Sequence, residues 1–572
     1  MFNLKADQKT ISQFMGESTN IFLIPDYQRP YSWEEEECTR LWEDIFSFAF
    51  PDNNCDNFNP KGDAYFLGSL VVFRNADEQL EVIDGQQRLI TLTLLLRAFY
   101  DAYGTGMTDE DSLYAKWEIS KCLWHIPSMS NKTDMSALKI ISEVASEDEW
   151  SEFLRIMENG KIDKAPGEGK YARNYRLFQK RIKEFQEGWP AYFQLMPERI
   201  LQSCCLLPIE TDSQDTALRI FSTMNDRGRP LSDSDIFKAK LYKAYSEHGQ
   251  KDLFVQQWKD LEAACSQSGS VDDMFMRYMH YLRASEGVKD TTVEGLRDFY
   301  GRDDRFSPLK RDYAKTFEGL RVLADFWKDI AALDNLRFSE RVRKSLFVLH
   351  YLPNNMWTFM VSVYFMTNKS DNGTLDDMKF YAFLQKITGF ILASRIMRPG
   401  NSTPFFAAMV DIAMKRDISF SRYKFDAQEL RRVMQGFDFN DSRKITRGMI
   451  AWYVFQDNGQ GVLPLDARFD TEHIYPRKRA EREGTIDSMN LEALGNKSLL
   501  EKAINIRASD YRFKDKAKYY LGNIAGKLPT QVHELQELAR TMQDFTEQDI
   551  TQRTEKIIDT FMQFIADNGL SR

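Results

Sequence analysis

Apolar positions early in the chain alternate between two periods. Residues 11–24 read as a short helix running into a strand at 21–24. Helical spacing follows over 33–48, with Ser32 and Glu35 placed as a capping box at its start. Residues 64–73 and 79–83 are rich in Phe, Leu and Val and predict two strands, separated by a polar turn at 75–78. The second strand passes directly into a helix over 89–103. A polar, helical pattern then extends to about residue 200, interrupted by a Gly- and Pro-containing loop at 160–169. Residues 204–209 predict one more buried strand. From 236 to 455, Phe, Met, Leu and Tyr recur at helical spacing with no repeat period, and these stripes read as core. Near the C-terminus, 470–474 predicts a short strand and 498–503 the start of a helix. The pattern is that of a multidomain α+β protein, mainly α. Its expected divisions are an α/β region at 1–245, a helical connecting region at 246–430 and a smaller C-terminal domain at 431–572.

Three loops between these elements carry concentrated chemistry. Pro25 and Pro30 frame Tyr27, Gln28 and Arg29, with Tyr31 and Trp33 just beyond, so the loop is stiff and rich in aromatic and donor groups. The strand ending at 83 leads into Asp84-Gly85-Gln86-Gln87-Arg88 and then a helix. A strand, a glycine turn and a helix start can cradle phosphate, and Arg88 adds a bidentate fork. Asn225, Arg227 and Arg229 lie on a tight turn before the cap formed by Ser232 and Asp235, a second loop suited to anions. No GxxxxGK[ST] occurs, which excludes a Walker-type ATPase. The basic stretch 170–183, with Tyr171, Tyr175 and Phe178, reads as a solvated helix face in preference to a nucleic-acid groove.

Composition narrows the setting. The net charge of −9 confines any nucleic-acid surface to a local patch. Six cysteines contain no CxxC, and Cys204 and Cys205 are adjacent, which is poor spacing for disulfides or zinc and fits a reducing cytosol. No signal pattern opens the chain, and the most apolar run, 89–96, is too short for a bilayer. The expectation is a cytoplasmic protein with no membrane partner.

Among six histidines, only His473 sits in a catalytic context. It follows Glu472 and precedes Ile474-Tyr475-Pro476. Gly495-Asn496, Asn505 and Lys514 come after it. An imidazole can take a proton from water near neutral pH. A carboxylate and an amide oxygen suit Mg²⁺ or Mn²⁺, and nearby Lys and Arg can hold phosphate. A strand ending at His473, a Gly-Asn turn and a helix bearing Asn505 fit a one-metal ββα (HNH-type) nuclease unit.

These motifs resemble the GmrSD-type restriction proteins. The segments 24–33, 84–88 and 220–232 look like that family's N-terminal domain, which is related to the ParB/sulfiredoxin-like fold. Residues 472–476, 495–500, Asn505 and Lys514 look like its C-terminal HNH-type nuclease domain. The resemblance implies a modification-dependent endonuclease or nickase in phage defence. Its partners would be modified phage DNA and a nucleoside triphosphate (GTP, UTP, CTP or ATP), with a homodimer as a further expectation. Carried over by position, His473 is the general base, Glu472 and Asn505 are the metal-side residues, Asn496 orders the loop and Lys514 touches phosphate. Asp84, Gly85, Gln86, Gln87 and Arg88 belong to the nucleotide site. Tyr27, Gln28 and Arg29 belong to the same pocket or to the sensing loop. One departure is Glu472, where many HNH sites have Asp. Two other readings stay open: a ParB-like nucleotide-switched DNA-binding protein with a degenerate nuclease, and a toxin-like nuclease acting on RNA or unmodified DNA.

Overall fold

The computed structural model describes residues 5–572 apart from 58–63, 105–108, 127–132, 161, 163–168, 214–215, 218–219, 221–231, 303–306, 399, 415–419, 485 and 525. Asn225, Arg227 and Arg229 therefore lie outside the described residues. The chain divides into two compact units, Met1–Val255 and Gln256–Arg572.

The first unit is built on a mixed seven-stranded sheet in the order β1-β7-β4-β5-β3-β6, with β2 also pairing β7; its short edge strands are β1 (Lys5–Ala6), β2 (Lys9–Thr10) and β6 (Ile140–Ser142). Its central strands are β4 (Tyr65–Arg74), β5 (Leu80–Asp84), β3 (Phe22–Ile24) and β7 (Cys204–Thr211). β4 and β5 form an antiparallel hairpin, whereas β3 runs parallel to β5 and β7 parallel to β4. The helix Gln86–Ala102 follows β5 without a loop and is buried along most of its length, which explains its continuous Leu-rich run. Across it packs the helix Lys170–Gly188, whose Tyr171, Tyr175 and Phe178 face the core. The basic residues of that helix take the outer face, as expected. One cap differs from expectation. The helix expected at 33 begins at Glu35, capped reciprocally by Glu34 and Glu37. Ser32 lies two residues before that cap, and its N–H and Oγ donate to Gln87 Oε1, at 2.7 and 3.3 Å.

Among the described residues, the strands of the second unit are β8 (Phe469–His473) and β9 (Lys497–Glu501), and its other elements are helices. Its core is aromatic: Phe326 stacks on Phe365 at 3.9 Å and Tyr364 on Phe383 at 4.0 Å. β8 and β9 pair antiparallel, with Glu472 opposite Ser498 and His473 opposite Lys497. The segment 498–503, expected to begin a helix, is thus mostly strand, and the helix Lys502–Ala508 starts after it. The Lys-Ser-Leu-Leu-Glu run has no decisive local preference. Pairing to a strand distant in sequence decides its form, and Leu499 and Leu500 are both fully buried. No helix among the described residues is long and apolar enough to cross a membrane.

Candidate active site

The β8–β9 pair holds the catalytic candidates of the second unit. Asn496, fully buried, stitches the two strand ends together. Its Oδ1 accepts from the Tyr475 N–H at 2.7 Å, and its Nδ2 donates to the Tyr475 and Leu491 carbonyls at 3.1 and 2.9 Å. Behind this turn, Arg553 donates to the carbonyls of Leu494, Gly495 and Lys497 while its guanidinium pairs with Glu534. Asn496 is therefore a residue that orders the loop, as its position in the motif implies. With all its bonds made to backbone, it is not a group that meets substrate.

Successive residues of a strand face opposite ways, and His473 and Glu472 accordingly enter different surroundings. The His473 side chain is only 11% exposed. Its Nε2 lies 3.8 Å from Asp441 Oδ2 and 3.7 Å from Glu492 Oε2, and it is buried without a hydrogen-bond partner. The two carboxylates share two cations. Lys497, wholly buried, reaches Asp441 Oδ1 at 3.0 Å and Glu492 Oε2 at 2.6 Å. Arg477 reaches Asp441 Oδ2 at 2.8 Å and Glu492 Oε1 at 2.6 Å. Burial lowers the His473 pKa to about 4. Asp441 and Glu492 oppose that shift, and Lys497 and Arg477 add to it. The imidazole is thus neutral at pH 7 with an unspent ring nitrogen.

The structure does not bring Glu472 to this cluster. Its carboxylate is buried on the other side, where Lys516 Nζ lies 2.7 Å from Oε1 and the Tyr520 hydroxyl donates to the same oxygen. Burial raises its carboxyl above the usual range, and Lys516 works against that shift. Asn505 donates from Nδ2 to the Thr471 carbonyl at 3.5 Å, so it flanks β8. Lys514 is exposed on the helix Phe513–Tyr520, whereas Lys516, two residues on, is the lysine that turns inward, to Glu472 and the His473 carbonyl. By donor type, the residues suited to a divalent cation are the carboxylates Asp441 and Glu492, whose ligand atoms and a His473 ring nitrogen all lie within 4.8 Å of one another. A carboxylate offers about four lone-pair positions, and Lys497 and Arg477 take only part of them. These residues fit a cation, whereas the Glu472 carboxylate is engaged by Lys516 and Tyr520 on the other side.

Sequence reasoning passed over Asp441, Glu492, Lys497, Arg477 and Lys516. Asp441 and Glu492 lie in polar stretches with no motif. Lys497 stands directly after the Gly-Asn turn, but its inward direction depends on β9, which local sequence does not predict.

In the first unit, the Pro-framed loop packs onto the turn after β5. Gln28 Nε2 donates to the Ile83 carbonyl at 2.9 Å, and Gln86 Nε2 donates to Gln28 Oε1 at 3.1 Å. Gln87 accepts from Ser32 and donates to the Pro30 carbonyl at 3.1 Å. All three glutamines are buried, and their hydrogen bonds join the two motifs. Tyr27 is buried as well, its hydroxyl 2.5 Å from Glu81 Oε1 and its ring against Tyr242. The charged neighbours are Asp84, Arg88 and Arg29. Burial raises the Asp84 carboxyl, while the Gly85 N–H, Arg88 and Arg29 hold it down. Arg29 Nε is buried without a partner. Arg88 donates to the Ser69 carbonyl at 3.1 Å and lies against Gly68. There φ is +125° and an added Cβ would fall 2.7 Å from Nη1, so glycine is required. Gly85, in the left-handed region, caps the long helix.

The first unit thus sets Arg29 and Arg88 near the start of a helix, and the second sets a buried histidine among acids and cations beside a strand pair. Comparison with family models identifies both units. Residues 11–242 match the N-terminal domain of the GmrSD restriction endonucleases, and residues 425–560 match their C-terminal domain. The chain belongs to the GmrSD restriction endonuclease family, and with it to the DNA endonucleases of restriction and defence. No curated protein matches it.

Proposed function

We propose that the chain is a nucleotide-regulated, metal-dependent DNA endonuclease or nickase directed at modified DNA, with an HNH-type site in its second unit and a ParB-like nucleotide site in its first. The observation that carries the reading is the buried, unpartnered Nε2 of His473 facing Asp441 and Glu492. In the tautomer protonated at Nδ1, Nε2 holds a lone pair. The gap of 3.7–3.8 Å to the carboxylates exceeds a hydrogen bond and leaves that lone pair for an incoming water. His473 takes the proton from this water as it attacks phosphorus, while the P–O bond to the leaving sugar oxygen breaks and that oxygen takes a proton from solvent. Asp441 and Glu492 would hold Mg²⁺ or Mn²⁺, which when bound would offset charge on the phosphate. Arg477, about half exposed, can turn from these acids to a DNA phosphate. Lys514 adds charge at the surface.

In the first unit, Arg29, Arg88 and the start of the helix Gln86–Ala102 would hold the phosphates of a nucleoside triphosphate. The orphaned Arg29 Nε and the contact of Arg88 with Gly68 support this reading. Asp84, beside both, accepts a proton or orients water. Gln28, Gln86 and Gln87 keep the two motifs in register.

The test is nicking of supercoiled plasmid and of glucosylated or hydroxymethylated phage DNA with Mn²⁺, with and without each of the four ribonucleotides. The reading expects cation-dependent cleavage that favours modified DNA and changes with nucleotide. Cleavage of RNA alone, or equal cleavage of both DNAs whatever the nucleotide, would refute it.

A further inference from the structure

The position beside Glu472 where a metal-side acid would meet its ion is filled by a side chain of the protein. We propose that Lys516 is a positioning residue that takes the cation's place at Glu472, and that Glu472, Lys516 and Tyr520 together fix the strand end from which His473 projects. The inference rests on the reading of His473 as the reacting group. Lys516 Nζ donates to Glu472 Oε1 at 2.7 Å and to the His473 carbonyl at 2.7 Å. The ammonium thus bridges a side chain on one face of β8 and the backbone of the catalytic residue itself. Tyr520 donates to the same Oε1. Side-chain exposure of Glu472 and Lys516 is 2% each, and Tyr520 is fully buried.

Two opposite charges buried together are mutually dependent, and removing one leaves the other without compensation. The backbone bond to His473 ties that dependence to the imidazole's place. A displacement on the order of 1 Å at a reacting group costs about a hundredfold in rate. Lys516 and Tyr520 stand on one face of the helix Phe513–Tyr520, so that helix sets where His473 points while touching neither substrate nor ion.

The experiment compares Glu472→Gln, Lys516→Met, Lys516→Arg, Tyr520→Phe and the Glu472→Gln/Lys516→Met pair in the full chain. Mn²⁺ binding without DNA is read by electron paramagnetic resonance. Plasmid nicking is measured at a temperature where each variant is folded. The single changes at 472 and 516 are expected to lower kcat about a hundredfold with KM for DNA and Mn²⁺ affinity unchanged. Lys516→Arg should recover part of the rate, and the pair should be no worse than either single. Where Lys516→Met fails to fold, Tyr520→Phe decides: a lower kcat with unchanged Mn²⁺ binding supports the proposal, and a wild-type kcat overturns it. A tenfold loss of Mn²⁺ affinity in Glu472→Gln but not in Lys516→Met would overturn it too, by making Glu472 the metal ligand. If the wild-type chain nicks no DNA, the functional reading fails. The Mn²⁺ comparison between Glu472→Gln and Glu492→Gln still decides which face holds the ion.

Discussion

His473 is neutral at physiological pH because burial makes its charged form costly, and that has a signed consequence. Its folded pKa of about 4 lies below the ordinary value of 6.5. Between these values the unfolded chain binds a proton that the folded chain does not, so this group's contribution to stability is complete above about pH 6.5 and is lost as pH falls toward 4. For activity, the base form persists through the same window. The acid limb of kcat/KM for nicking, which reports the free enzyme, is expected well below 6.5. A limb at 6.5 or above would place the imidazole in water and contradict the buried site. The acids are tested separately. Glu492→Gln removes a carboxylate shared by Lys497 and Arg477, and should raise the Mn²⁺ concentration for half-maximal nicking at least about tenfold. An unchanged requirement would move the ion elsewhere.

At the scale of elements, the site depends on two strands meeting at one buried turn. Asn496→Ala would leave the Tyr475 N–H and two carbonyls unpaired in the interior, at a cost of about 1–3 kcal/mol per group. Gly495→Ala would put a Cβ 2.0 Å from the Ile550 carbonyl oxygen, which is backbone and cannot swing aside. Both should lower the melting temperature of the second unit, and a wild-type melting curve for Gly495→Ala would show that the helix Glu547–Asp567 does not clamp the turn. This level was partly legible in sequence. The strand at 470–474 and the role of Asn496 follow from local pattern and turn chemistry. β9 was not legible, because Lys497–Glu501 becomes a strand only by pairing with residues far away in the chain. The acids Asp441 and Glu492 were hidden for the same reason: tertiary folding, not spacing, brings them to His473. Lys514 is the lysine the motif names, and composition marks its segment as basic without saying which lysine turns inward.

For the whole molecule, each unit carries its own chemistry. The motifs that mark the two were readable because they are short, polar and set in loops or at strand ends, where side chains meet ligands rather than core. The resemblance assigns the glutamines of the first motif to the nucleotide site; in the fold they are hydrogen-bonded joints, and the charge beside them is that of Arg29, Asp84 and Arg88. Arg88→Ala is therefore expected to abolish phosphate release from nucleoside triphosphates while leaving basal plasmid nicking intact. Wild-type hydrolysis by this variant would reduce the Asp84–Arg88 segment to a turn. The most direct measurement concerns the histidine on which the nuclease reading stands: plasmid nicking at saturating Mn²⁺ by wild-type chain and by His473→Ala, at equal folded concentration. The predicted result is a loss of about 10²–10⁴-fold with nucleotide hydrolysis retained. Cleavage by His473→Ala at the wild-type rate would contradict the site.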